Sequence, residues 1–299
     1  MRKIIVIIGP TGVGKTKLSV ELAKIYDGEI INADSMQIYK DLNIGTAKIK
    51  EEEKEGIPHH LFDIKNVEEE YSIYHYQKDC REKIEEVILK EKTPILVGGT
   101  GLYIKSALYD YKLEEKKSNN SFYEDVSTEE LYEKLIQIDE KAITKIDKNN
   151  RQRVINALIF YESNHYSITE NKTDKLLYDA IFIGLTTKRD NLYDIINKRV
   201  DVMIKDGLVE EAKSFYDKKI LTKPLIGGIG YKELYQYFDE KISIEEAIEL
   251  IKKNSRRYAK RQYTFFNHQI PVKWFETDYQ NFNNTVENVC NYIDNDIKL

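Results

Sequence analysis

Five consecutive apolar residues, Ile4-Ile5-Val6-Ile7-Ile8, run directly into Gly9-Pro10-Thr11-Gly12-Val13-Gly14-Lys15-Thr16, after which the chain turns amphipathic through Tyr26. The β-branched run reads as a buried strand, and Leu18, Leu22 and Ile25 follow helical spacing. Strand, glycine-rich turn and helix in that order predict a phosphate loop. Its glycines let backbone N–H groups converge on a phosphate, the helix starts there with the positive end of its dipole, and Lys15 adds a point charge. Thr16 would put its hydroxyl on a Mg²⁺ ion. A chance glycine turn is the plainer alternative, but it has no need of the strand before and the helix after.

A phosphate loop says that a pyrophosphate is held and not what is done with it, since kinases, ATPases, GTPases and other transferases share it. The 299 residues, 41% of them apolar, suffice for one large domain or a domain with an insertion. A net charge of −5 announces no nucleic-acid binder, so such a role needs a local basic patch. Cys80 and Cys290 stand apart without metal-binding spacing and are expected to be reduced. The first apolar run is too short for a signal peptide or a membrane span, which points to a cytoplasmic protein without membrane association.

The next β-type run, Glu29 to Ala33, delivers Asp34, Ser35, Met36 and Gln37 at its carboxyl end, where ligands bind in open α/β sheets. Asp34 is a candidate Mg²⁺ partner or general base; as an N-cap it would serve equally well. Gly45 to Lys48 and Gly56 to Asp63 read as loop, and the adjacent His59 and His60 lack an acidic or cysteine partner at metal-ligand spacing. A helix with Tyr76, Cys80, Ile84, Val87 and Ile88 on one face precedes a further strand, Pro94 to Val97. That strand ends in Gly98-Gly99-Thr100-Gly101, where Thr100 can offer a hydroxyl to a ligand.

From Asp110 to Asp174 the β-type runs vanish and charged helical patterning takes over. Glu114 to Asn120 reads as a linker, Ser127-Thr128-Glu129-Glu130 as a capping box, and a second helix starts near Arg151 and Arg153. Residues 1–110 and 177–299 are therefore assigned to an α/β core with a parallel sheet flanked by helices, and 111–176 to an all-helical insertion. In the core, Ala180 to Leu185 is a strand, and the following helix carries Arg199 on its apolar stripe. A buried guanidinium needs an anion, either a core carboxylate or the phosphate itself. Pro224 to Lys232 is glycine-rich loop entering a short helix. A last long helix opens with the capping box Ser243-Ile244-Glu245-Glu246. Lys252, Lys253, Arg256, Arg257, Lys260 and Arg261 crowd its later turns, near Tyr263 and Phe266, and suit a nucleic-acid backbone better than dipole complementation alone.

Taken together, the phosphate loop, Asn32 to Tyr39, Ile44 to Lys48, Pro58-His59-His60, Val97 to Tyr103, Arg199 to Met203, Ile229 to Glu233 and Arg257 to Gln262 make the chain resemble the tRNA dimethylallyltransferase (tRNA isopentenyltransferase) family over nearly its whole length. The resemblance implies a P-loop NTPase-like core whose helical insertion grips the anticodon stem-loop of tRNA. It further implies transfer of a dimethylallyl group from dimethylallyl pyrophosphate to N6 of the adenosine 3′ of the anticodon, position 37, after that base is flipped from its stack. By the family pattern Asp34 is the base, Thr100 lies near the same nitrogen, and Arg199, Lys15 and a Thr16-bound Mg²⁺ stabilise the pyrophosphate. Asp34 to Gln37, Gln152, Arg153 and on to Asn156, and Gly227 to Lys232, with Gly230 and Tyr231 among them, would meet the tRNA, as would the basic helix. The chain departs from the pattern at Asn156, often arginine in the family, and at Glu162-Ser163-Asn164-His165 in place of a Thr-Gly-Lys type turn. A monomer is expected. The rival reading is a P-loop kinase of a small molecule or nucleotide, which leaves the basic helix unexplained and for which no arginine-rich lid is visible.

Overall fold

The computed structural model describes residues 3–113, 123, 125–170 and 175–297; the expected linker from Glu114 to Asn120 lies outside them. Six parallel strands, β1 Ile4–Ile8, β2 Gly28–Asn32, β3 His59–His60, β4 Thr93–Gly98, β5 Ala180–Thr186 and β6 Lys273–Glu276, form one sheet in the order β3-β2-β4-β1-β5-β6. The order follows burial. β1 is flanked on both edges, by β4 and β5, and none of its side chains is more than 2% exposed. Each such isoleucine withdrawn from water contributes roughly 1.5–3 kcal/mol, so the most apolar run takes the central position.

Helices cover the sheet: α1 Lys15–Ile25, α2 Ile73–Leu89, α3 Gly101–Leu108, α7 Arg189–Lys205, α8 Leu208–Tyr216, α9 Lys223–Gly227, α10 Tyr231–Phe238, α11 Ile244–Gln269 and α12 Phe282–Ile297. Between α3 and α7 come α4 Thr128–Ile138, α5 Glu140–Ile143 and α6 Arg151–Asn164. The chain divides into two compact units, Met1–Ala107 with Tyr178–Leu299, and Leu108–Leu177. The second unit has its own core of Leu131, Leu135, Val154, Ala157 and Leu158, and α4 opens on the Ser127–Glu130 capping box that the sequence announces. Arg151 donates to the carbonyls of Val126 and Tyr123.

Several sequence expectations change. Ile25 is 53% exposed, because the buried face of α1 centres on Ser19, Leu22 and Ala23 and leaves the last residue at its edge. His59 and His60 form a short edge strand on β2 rather than a loop. Pro224 to Gly227 is helical, inside α9, with the proline in the first turn where its missing N–H does no harm. The helix expected to be the last long one, α11, is followed by β6 and the 16-residue α12. Phe266 is fully buried and so cannot stand among the cations of α11.

Candidate active site

In a parallel sheet every strand ends on the same side. β1 ends at the phosphate loop, β2 at the turn of Asp34, and β4, which lies between them, at the turn of Thr100. Two strand spacings, roughly 10 Å, therefore separate the loop from Asp34, with the Gly98–Gly101 turn in the gap. A Cβ on Gly98 would lie 2.1 Å from the Ala33 carbonyl oxygen, so only glycine lets the ends of β4 and β2 close this far.

A cavity of about 1190 Å³ opens over these strand ends. From the phosphate loop, Thr11, Gly12, Gly14, Lys15 and Thr16 line it, while Gly9, Pro10 and Val13 are buried in the frame behind. Gly14 is left-handed, φ 92°, and as a glycine offers the first N–H groups of α1 no side-chain cap. Such a terminus attracts an anion. The Lys15 Nζ donates to the carbonyl of Pro10 at 2.6 Å. Burial, and then the nearby Arg199 charge, lower the Lys15 pKa to about 7 against the pull of Asp34.

Arg199 reaches the cavity from α7. Burial lowers its pKa from the usual arginine value, while the Asp34 and Glu53 carboxylates act to raise it. Its Nε is buried and has no hydrogen-bond partner among the described residues. Neither Asp34 nor Glu53 forms an ion pair with it within 4 Å. Lys15 and Arg199, both half-buried, thus line the cavity together with the Asp34 and Glu53 carboxylates, and two cations set side by side suit a polyanion.

Asp34 caps no helix; it closes a turn. One carboxylate oxygen accepts the Met36 N–H at 2.9 Å, an Asx-type turn, and leaves the other without a protein hydrogen bond among the described residues. The Thr100 hydroxyl stands behind this turn, accepting the Ser35 N–H at 3.1 Å and donating to the Ser35 hydroxyl at 3.3 Å. It is not among the residues lining the cavity. Gln262 closes the wall: its Nε2 donates to the Gly99 carbonyl at 2.9 Å, and its buried Oε1 has no partner.

Ser35, Met36, Gln37, Gly230, Tyr231, Lys232 and Arg261 line the same cavity, and Gln37 donates to the Thr46 carbonyl at 3.0 Å. Arg256, Arg257 and Lys260 do not line it. Arg256 donates to the Asn197 side chain, and Lys252 pairs with Asp201 at 2.8 Å, which removes both from the freely presented charge; Lys253, Arg257, Lys260 and Arg261 are exposed. Gln152 and Arg153 are exposed on α6 of the second unit, and Gln152 donates to Asn156 at 3.1 Å. His165 ends α6 in the left-handed conformation, φ 58°, which a glycine would adopt more cheaply.

Sequence reasoning missed Glu211. Its carboxylate accepts the N–H groups of Asn43, Ile44 and Gly45 at 3.0, 2.8 and 3.0 Å and the Tyr231 hydroxyl at 2.5 Å. An exposed-looking acid in a helical E-E pair gives no hint of that. Nor did the sequence reveal an acid for His60, whose Nε2 lies 2.7 Å from Glu29 of the neighbouring strand. Successive strand residues face opposite sides, and among the described residues no three His, Cys, Asp or Glu side chains gather to hold a metal.

The IPP transferase family model matches residues 37–269, starting just past Asp34. Over 299 residues the chain is 49% identical to the tRNA dimethylallyltransferase of Anoxybacillus flavithermus, covering 98% of this chain and 96% of that one. The chain belongs to the IPP transferase family. Among solved structures, the tRNA isopentenylpyrophosphate transferase of Bacillus halodurans is 41% identical with a TM-score of 0.77, covering 100% of this chain and 97% of that one. A eukaryotic dimethylallyltransferase solved acting on tRNA is 32% identical with a TM-score of 0.82, covering 92% of this chain and 74% of its own. The family's fold is the one described above, a six-stranded parallel sheet with flanking helices. No described helix of this member is long and apolar enough to cross a membrane.

Proposed function

We propose that this chain transfers the dimethylallyl group from dimethylallyl pyrophosphate to N6 of the adenosine at tRNA position 37, releasing pyrophosphate. The observation that carries the reading is the unpartnered Arg199 Nε beside half-buried Lys15, over a helix terminus with no side-chain cap. The pyrophosphate of the donor takes this place. The cavity is large enough to admit a flipped base from its other side, toward Asp34.

An exocyclic adenine amine is a weak nucleophile. As its nitrogen attacks the allylic carbon, the C–N bond forms, the C–O bond breaks with its electron pair going to pyrophosphate, and the N6 proton passes to the open oxygen of Asp34. Charge grows on the leaving oxygens, where Arg199, Lys15 and the loop amides stabilise it. Thr100 holds the Ser35 turn and so the direction of the Asp34 carboxylate. Mg²⁺ would fit the Thr16 hydroxyl, which makes no hydrogen bond among the described residues and belongs to a residue lining the cavity. Thr16 would help to hold such an ion, which when bound would supply neutralisation of leaving-group charge. The helical insertion and the exposed face of α11 serve to grip the anticodon stem-loop, and the protein works as a monomer in the cytoplasm.

The test is transfer of labelled dimethylallyl group, with Mg²⁺, to tRNA from cells lacking the modification, beside a parallel tube with labelled ATP. Label on the adenosine 3′ of the anticodon is the expected result. Phosphate transferred from ATP with no allylic transfer would restore the kinase reading, which relatives named tRNA dimethylallyltransferase, matched over nearly their whole length, do not favour.

A further inference from the structure

A phosphate loop works only if its N–H groups point inward, and each peptide plane carries its carbonyl on the side opposite its N–H. Inward amides therefore require outward carbonyls with partners of their own. One comes from far along the chain. The Thr277 hydroxyl, directly after β6, donates to the Val13 carbonyl at 2.8 Å, and Thr277 is itself only 5% exposed. Val13 C=O and Gly14 N–H share one peptide, so fixing the first aims the second at the cavity that Gly14 lines.

The same segment backs the loop at two further points. The Tyr279 hydroxyl lies 3.5 Å from the Gly12 carbonyl, at the limit of a hydrogen bond. The Phe282 ring stands where a Cβ on Gly14 would come within 2.8 Å, and carries the Lys17 ammonium 4.7 Å above its face. Thr277 is anchored in turn through its backbone, its N–H donating to the Thr186 carbonyl at 2.9 Å. The side chain is thus held without help from its hydroxyl, which is left for the loop.

We infer that Thr277 is a positioning residue for pyrophosphate: its hydroxyl presets the Gly14 amide and so the anion-binding face of the phosphate loop. The inference rests on the proposed placing of the donor's pyrophosphate in that loop. It assigns a functional part to a segment that lies beyond the stretch matched by the family model.

The experiment is calorimetric titration of the full chain, with Mg²⁺, by inorganic pyrophosphate, comparing wild type, T277V and T277S, with tRNA affinity measured in parallel. T277V should bind pyrophosphate roughly 3- to 10-fold more weakly, the weight of one lost hydrogen bond to a preset amide. T277S should stay near wild type, and tRNA affinity should hold in both. Should the added methyl of T277V prevent folding, T277A removes the hydroxyl without crowding Val13, and the same loss is expected. Unchanged pyrophosphate affinity in the folded hydroxyl-free variant overturns the inference, as does an equal fall in tRNA affinity, the mark of general loosening. A wild type that takes up no pyrophosphate overturns the reading of the loop and this inference with it.

Discussion

The Tyr231 hydroxyl donates to Glu211 at 2.5 Å, and through that carboxylate α10 is joined to the Asn43–Gly45 segment on the cavity wall. Tyr231 is fully buried, and a Cβ on Gly45 would lie 2.6 Å from its ring. The glycine admits the ring, the ring delivers its hydroxyl to Glu211, and Glu211 takes up the three N–H groups of a turn that has no ladder of its own. Burial, and then the Glu211 charge, push the Tyr231 phenol well above its usual range, so it remains a donor.

Glu211→Ala should therefore destabilise the protein by about 2–4 kcal/mol, since the hydroxyl of buried Tyr231 and the half-buried Ile44 and Gly45 N–H groups lose their acceptor. Tyr231→Phe, which removes one donor and keeps the ring, should lose only about 1–2 kcal/mol. Denaturant unfolding checks both. Equal losses would show that the Tyr231–Glu211 bond carries the whole effect and that the three N–H groups of the turn add nothing to it.

Asp34→Asn keeps an oxygen for the Met36 N–H but no longer accepts a proton. Turnover should fall by about 10²-fold or more while tRNA affinity stays within about threefold. Single-turnover kinetics beside a binding isotherm separate the two. Near-normal turnover would confine Asp34 to its turn.

Arg199→Ala removes the half-buried guanidinium from the pyrophosphate side. The chemical step should slow by roughly 10²-fold with little change in melting temperature, because no protein anion is left behind unpaired. Unchanged kinetics with a lowered melting temperature would make Arg199 a structural ion pair.

Lys15 titrates near pH 7 in the free protein rather than at its usual 10.5. Because the folded value is the lower one, the unfolded chain binds more protons between these values; the stability deficit is full below about pH 7 and is relieved as pH rises. Pyrophosphate recharges the lysine and takes up a proton, so affinity should fall by up to about tenfold per unit above pH 7. Lys15→Arg, charged throughout, should lack this component and leave only the ligand's own titration. Parallel slopes for the two proteins, measured from about pH 6.5 to about pH 9, would mean that Lys15 stays charged.

On α11, Arg257, Lys260 and Arg261 are exposed, whereas Lys252 and Arg256 have protein partners. Replacing the first three by alanine should weaken tRNA binding and reduce its logarithmic salt slope by up to about three. Replacing Lys252 and Arg256 instead should change stability more than slope. An unaltered slope in the triple variant would turn this face away from the nucleic acid.

Much of the core was legible because its signals are local. An isoleucine-rich run, a glycine loop and two capping boxes act over a few residues, and β1, α1, α4 and α11 stand where those signals put them. Asp34 and Thr100 could be placed at strand ends from the alternation of strand and helix alone. The short strand at His59 was lost because two residues carry no periodicity, and Phe266 was misjudged because neighbouring positions on a long helix differ by little more than a quarter-turn.

By itself, then, the amino-acid order determined the phosphate loop, the parallel α/β pattern and the carboxylate and cations near it, since each follows from spacing along the backbone. Only the tertiary structure decided which groups those residues meet. Glu211 reaches a turn 166 to 168 residues away, His60 finds Glu29 on the adjacent strand, and Thr277 closes on Val13 across 264 residues. A hydrogen bond depends on position within a few tenths of an ångström, and at such separations that position is set by the packing of the whole sheet and not by any stretch of chain.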